Sequence, residues 1–236
     1  MTRKFWVLVV FICGVLLIPR LGFAQLSDNN PVALVGDKKI YSADINPNRF
    51  VADKYRKELT ADQYSAWEQD YKIQRLESLI YEVWQNQLLD EMKMQPTADE
   101  INVYINFFLS QPLTPEDQKR EEKELQANPN YKELKKESFE RTAPPMVKAW
   151  KFNKALYVKY GGRVIFQQAG YEPIDAYKQF LEEHQKNKSY EILDPAYKNI
   201  FSKMNDYFAM PHQYMKKEDA DQYFEKSWWD PTFQKM

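Results

Sequence analysis

From Trp67 onward the chain places Ile73, Leu76, Leu79, Ile80, Val83, Trp84, Leu88, Leu89 and Met92 at steps of three and four, with Glu, Gln, Asn and Lys between them. That period gathers the apolar side chains into one stripe of a helix. Gln95-Pro96-Thr97 interrupts the pattern, and Thr97 followed three residues on by Glu100 has the spacing of a capping box, which satisfies the first amides of a new helix. This second helix is expected from about Ala98, with Ile101, Tyr104, Ile105 and Phe108 on one side. Two amphipathic helices joined by so short a link are expected to lie against each other and to leave apolar surface for other segments to cover.

Upstream, Val32-Ala-Leu-Val-Gly-Asp-Lys-Lys-Ile-Tyr41 predicts two short strands turning at Gly36-Asp37. Such a hairpin is marginal alone and must dock on helices or receive another strand. Ser42-Ala43-Asp44 reads as a turn, Asn46-Pro47-Asn48 as irregular chain and Arg49–Glu58 as a helix, with Thr60 and Gln63 placed to cap the long helix that follows. Downstream, 112–141 is dense in Glu and Lys of mixed sign and is broken by Pro115, Asn128 and Pro129, which predicts two short, solvated helices.

Pro144-Pro145 is expected to open a strong helix carrying Met146, Val147, Trp150, Ala155, Leu156, Tyr157 and Val158, which Gly161-Gly162 stops after Tyr160. Residues 163–168 then read as a strand suited to extend the sheet of the first hairpin. Pro173 starts a helix from Ile174 to about His184, and Asp194-Pro195 signals another carrying Ile200, Phe201, Met204 and Phe208. The end keeps Tyr223, Phe224, Trp228, Trp229 and Phe233 among charges. The expected class is mainly α with a small β-hairpin or short sheet. One helical domain is expected over 25–236, divided into 31–110, a charged helical insertion over 111–142, and C-terminal helices from 143 that pack back.

The beginning of the chain changes this picture. Arg3 and Lys4 precede the apolar run Phe5 to Ile18, and Gly22-Phe23-Ala24 supplies small residues before a cut after Ala24. This is the pattern of a cleavable export signal. Fourteen apolar residues are too few for an anchor spanning a bilayer, which takes roughly 20. Cys13 sits inside the run, so a lipoprotein is excluded too. Cleavage removes the only cysteine together with Arg3, Lys4 and Arg20, leaving 212 residues with 30 basic and 34 acidic side chains, a net charge of −4. Neither disulfides nor a thiolate nucleophile remain, and the balance gives no excess positive charge to attract nucleic acid or anionic lipid. Only six glycines in the whole chain leave little for phosphate loops and favour helices. The 15% aromatic content fits either a core or a groove for apolar peptide.

Val32, Val35, Gly36 and Ile40 of the hairpin, Leu76, Leu79, Ile80, Gln87 and Leu89 of the long helix, then Met94, Glu100 and Ile101, follow a recognisable order. Over 31–110 this resembles the N-terminal region of SurA-like periplasmic chaperones. The resemblance implies a helical module that, with a returning C-terminal helix, cradles unfolded outer-membrane polypeptides. Fuller members insert parvulin-type isomerase domains, but no glycine-rich, histidine-bearing pattern follows Leu109, and His184 and His212 are the only histidines. Isomerase activity is therefore not implied. The candidate peptide contacts are Trp84, Leu88, Tyr104, Phe108, Trp150 and Tyr157, although Trp84, Trp150 and Tyr157, lying on apolar faces, fit a core better than an exposed contact.

The most site-like polar group is Arg163 with Glu172 and Asp175 around a turn. It would suit a small anion or acid-base work on an envelope glycan. Its structural alternative is an ion pair plus carboxylates placed at a helix start. No His-Glu-x-x-His and no Gly-x-Ser-x-Gly occurs, so neither a metal nor a cofactor is expected. Trp228 and Trp229 either fold back or, if both are exposed, serve as an anchor in an envelope complex.

Overall fold

A computed structural model describes residues 31–167 and 170–230; the export signal, Gln168 and Phe233 lie outside the described residues. In chain order the elements are β1 (Pro31–Val35), β2 (Lys38–Tyr41), α1 (Ser42–Ile45), α2 (Arg49–Glu58), α3 (Ala61–Glu91), α4 (Ala98–Ser110) and α5 (Pro115–Ala127). There follow α6 (Tyr131–Tyr160), β3 (Ile165–Gln167), β4 (Gly170–Glu172), α7 (Ile174–Lys186), β5 (Tyr190–Ile192), a 3-10 turn (Pro195–Tyr197), α8 (Ser202–Ala209) and α9 (Lys217–Glu225). With 68% helix against 9% strand, the class is mainly α with a small sheet.

Local signals place several boundaries. Val35 pairs with Lys38 across Gly36-Asp37, and Gly36 takes φ +55° at the first turn position. Thr60 accepts from the Gln63 amide while Gln63 accepts from the Thr60 amide, and Thr97 and Glu100 do the same for α4. Of the α3 stripe, Leu76, Leu79, Ile80, Trp84, Leu88 and Leu89 are buried, and Ile73, Val83 and Met92 pack against them. Ser42–Ile45, expected as a turn, is a single helical turn in which Asp44 accepts from the Tyr41 amide at 3.0 Å.

Four expectations fail, each for a tertiary reason. Helices α3 and α4 do not form the expected pair. The α3 stripe packs with Phe152, Ala155 and Leu156 of α6, whereas Tyr104 and Ile105 of α4 pack with Ala143 and Val147 further up the same helix. The link turns through Lys93, left-handed at φ +55°, and Lys151 of α6 reaches both Glu100 oxygens at 2.6 and 2.7 Å.

Pro144-Pro145 does not begin a helix either. Both lie inside α6, which joins the predicted 111–142 insertion to the part from 143. A proline in a helix interior costs about 3 kcal/mol through a lost amide donor and a clash. Phe139, Ala143, Val147 and Trp150, each about one turn apart, pack in one cluster with Tyr104 and Phe108, and that shared surface holds the helix through the break.

Of the strand expected over 163–168, Ile165–Gln167 pairs with β4 rather than with the first hairpin, and Tyr214 adds a bridge to Ile165. Val164 is drawn instead to Ala220, Tyr223 and Phe224. The hairpin receives β5, giving the antiparallel order β2-β1-β5, and the Val32 carbonyl accepts from the Leu193 and Asp194 amides at 2.9 and 3.3 Å. Finally, the helix signalled at Asp194-Pro195 splits. Asp194 caps only the 3-10 turn, because Phe201 turns left-handed at φ +67° before α8. Its ring is fully buried and its amide donates to Glu77 of α3 at 2.7 Å, so burial and a distant carboxylate hold the strained residue.

Candidate functional site

Trp84 and Leu88, the candidate peptide contacts on α3, are 0% and 2% exposed. The Trp84 indole stacks on His184 at 4.2 Å and 10°, and Phe180, Tyr190 and Phe201 surround it at 5.5 to 6.3 Å. Burial pushes the His184 pKa down to about 4, so this imidazole is neutral at neutral pH, with Nδ1 2.7 Å from the Ser189 hydroxyl. These two residues line no groove; they are interior to a closed core in this structure.

The other four candidates behave differently. Tyr104 and Phe108 on α4 and Trp150 and Tyr157 on α6 form a wall covered by the chain's own C-terminal segment. Trp229 meets Tyr104 at 5.1 Å and Trp150 at 5.4 Å, and Trp228 meets Phe108 edge-on at 5.7 Å. Phe224 stacks on Tyr157 at 4.7 Å and 28°. Burial, reinforced by the hydrogen bond to Asp221, pushes the Tyr157 pKa up to about 12. Polar links add to the cover: Lys154 donates to the Glu225 carbonyl at 2.9 Å, the Met215 amide donates to the Val164 carbonyl at 2.8 Å, and a hydrogen bond joins Tyr223 to the Tyr171 backbone. Trp229 is buried and Trp228 partly buried, so neither projects as the exposed anchor that a terminal docking role requires. The chain order alone does not show that the terminal rings and the α4–α6 wall meet. The only hint is the density of Tyr, Phe and Trp after Tyr214.

Arg163, Glu172 and Asp175 separate into two arrangements. The Arg163 guanidinium bonds Asp175 in bidentate fashion at 2.8 and 2.9 Å, its amide adds a third bond at 2.8 Å, and its face lies 4.3 Å from the Tyr214 ring. Those bonds from Arg163 hold the Asp175 carboxyl below its ordinary range. Gly162 makes the pair possible, because at φ +90° a Cβ there would stand 2.6 Å from the Asp175 Cβ.

Glu172 turns elsewhere and accepts from the Tyr207 hydroxyl at 3.0 Å. Burial pushes its pKa up to about 7 against the opposing effect of that bond. Nearby, the Tyr81 hydroxyl is buried without a hydrogen-bond partner, and burial, with the charges of Tyr177 and Glu172, raises its pKa. A pair of glycan-cleaving carboxyls must face one substrate. Glu172 and Asp175 are committed to different partners, so the predicted polar group does not assemble as an acid-base pair.

An open cleft of 440 Å³ between α5 and α6 is lined by Glu124, Asn128, Tyr131, Leu134, Lys135, Ser138 and Phe139. Among the described residues no three His, Cys, Asp or Glu are grouped to hold a metal, and no helix is long and apolar enough to cross a membrane. No protein-family model, curated protein or solved structure matches the chain.

Proposed function

We propose that the protein is an exported, SurA-like binder of unfolded polypeptides in the periplasm, acting as a chaperone without isomerase chemistry. Its clients are aromatic-rich extended segments, including those of outer-membrane polypeptides, and they occupy the wall made by Tyr104, Phe108, Trp150 and Tyr157. One observation carries the reading: an aromatic segment of the chain itself, Tyr223 to Trp229, already lies on that wall. A surface that accommodates one such segment through ring contacts has the chemistry to accept another.

Binding is then an exchange. The terminal segment lifts, a client takes its place, and no nucleotide or metal is consumed. Because only the open fraction binds, the resident segment lowers apparent affinity and keeps the apolar wall covered when no client is present. Benzoylphenylalanine in place of Phe108 should crosslink an unfolded outer-membrane polypeptide, whereas the same group in place of Phe166, which is 67% exposed on β3, should not. Equal crosslinking at both positions, or none at Phe108 together with no suppression of client aggregation, refutes the proposal.

A further inference from the structure

Helix α2 presents a face that neither the core nor the client wall uses. Its inner side is fixed: Ala52 is buried, Tyr55 stacks on Trp67 of α3 at 4.3 Å and 21°, and Asn48 caps the helix by accepting from the Val51 amide at 2.9 Å. With that rotation set, Phe50, Lys54 and Lys57, at positions i, i+4 and i+7, form the outward ridge. Phe50 is 82% exposed, the most exposed large apolar side chain among the described residues, and belongs to none of the three core clusters. Arg49 and Arg56 flank the ridge and share Asp53 at 3.5 and 3.7 Å, distances of loose, solvated ion pairs. Four cations thus stand against two carboxylates within ten residues, although the whole mature chain is expected to carry a net negative charge.

We infer that this face of α2 docks on an anionic bilayer surface, with Phe50 entering the headgroup region and the surrounding Lys and Arg side chains meeting lipid phosphates. A water-facing aromatic ring ringed by cations is the arrangement of an interfacial helix, and the charge is complementary to acidic headgroups. The dock does not depend on client binding, and each activity can fail without the other.

The test is cosedimentation of residues 25–236, which contain every described element, with vesicles of phosphatidylglycerol and phosphatidylethanolamine. Vesicles of phosphatidylcholine and a short DNA duplex serve as the alternatives. Binding to the anionic vesicles alone is expected, weakening at high salt and falling about tenfold in Phe50→Ser and in Lys54→Glu with Lys57→Glu. Phe166→Ser should bind as the parent does. Thermal unfolding checks that the Phe50 variant remains folded, and its exposure predicts an unchanged midpoint. No binding to anionic vesicles, binding to the duplex alone, undiminished binding by the folded Phe50 variant, or an equal loss in Phe166→Ser would overturn the inference.

Discussion

The Trp84 cluster and the α4–α6 wall are built from the same residue types, yet they differ in what closes them. Around Trp84 the cover comes from α7, β5 and the Phe201 turn, with Phe152 of α6 packed into the same core. Removing any of these means taking apart the sheet or a long helix. Over Tyr104, Phe108, Trp150 and Tyr157 the cover is the last described segment, ending at residue 230. Burial of an aromatic side chain therefore does not distinguish a core from a filled groove. The distinction lies in whether the covering segment can leave while the rest stays folded.

Substitutions can break that comparison. Trp84→Ala should destabilise the protein by about 3–5 kcal/mol in urea unfolding, because a closed core cannot collapse around so large a loss. Trp228→Ala with Trp229→Ala should cost less, about 2 kcal/mol, because the terminal segment can detach while the Trp84 core persists. A loss from the double variant equal to that from Trp84→Ala would erase the difference between the two regions.

Glu172 sharpens the boundary between them. Its folded pKa of about 7 lies above the ordinary value of 4.5, so the folded state holds its proton more tightly than the unfolded chain. The resulting stability is fully present below about pH 4.5 and is lost as pH rises through about 7. Glu172→Gln should therefore stabilise the protein at pH 8 by about 2 kcal/mol and do little at pH 4, as read from unfolding at each pH. A pH-independent effect would contradict the assignment. The smallest effect concerns the closed side: Glu77→Ala removes the acceptor of the Phe201 amide and should cost about 1 kcal/mol. Amide exchange at Phe201 should rise with it.

Much of this architecture was legible because its causes are local. The capping boxes at Thr60 and Thr97, the Gly36 turn, the α3 stripe and the Gly161-Gly162 stop each depend on a few neighbouring residues. The misread features depend on distant partners. Pro144-Pro145 looks like a helix start until α4 provides a surface along both sides of it. Residues 163–168 look like a partner for the hairpin until the terminal aromatics provide a competing core. For the candidate site, periodicity found the six apolar residues but not the identity of their cover, which divides Trp84 and Leu88 from the rest. The ion pair of Arg163 with Asp175 was foreseeable from charge and turn, whereas the burial of Glu172 against Tyr207 arises only when α8 returns to β4.

The central claim is that the terminal segment and a client compete for one wall. It is tested most directly by fluorescence anisotropy of a labelled, unfolded outer-membrane segment, titrated with the parent chain and with the Trp228→Ala, Trp229→Ala variant. Binding about tenfold tighter is expected in the variant, whose Trp84 core remains folded, because the two rings that cover Tyr104, Phe108 and Trp150 are gone while all four wall residues remain. Equal or weaker binding by that folded variant would contradict it.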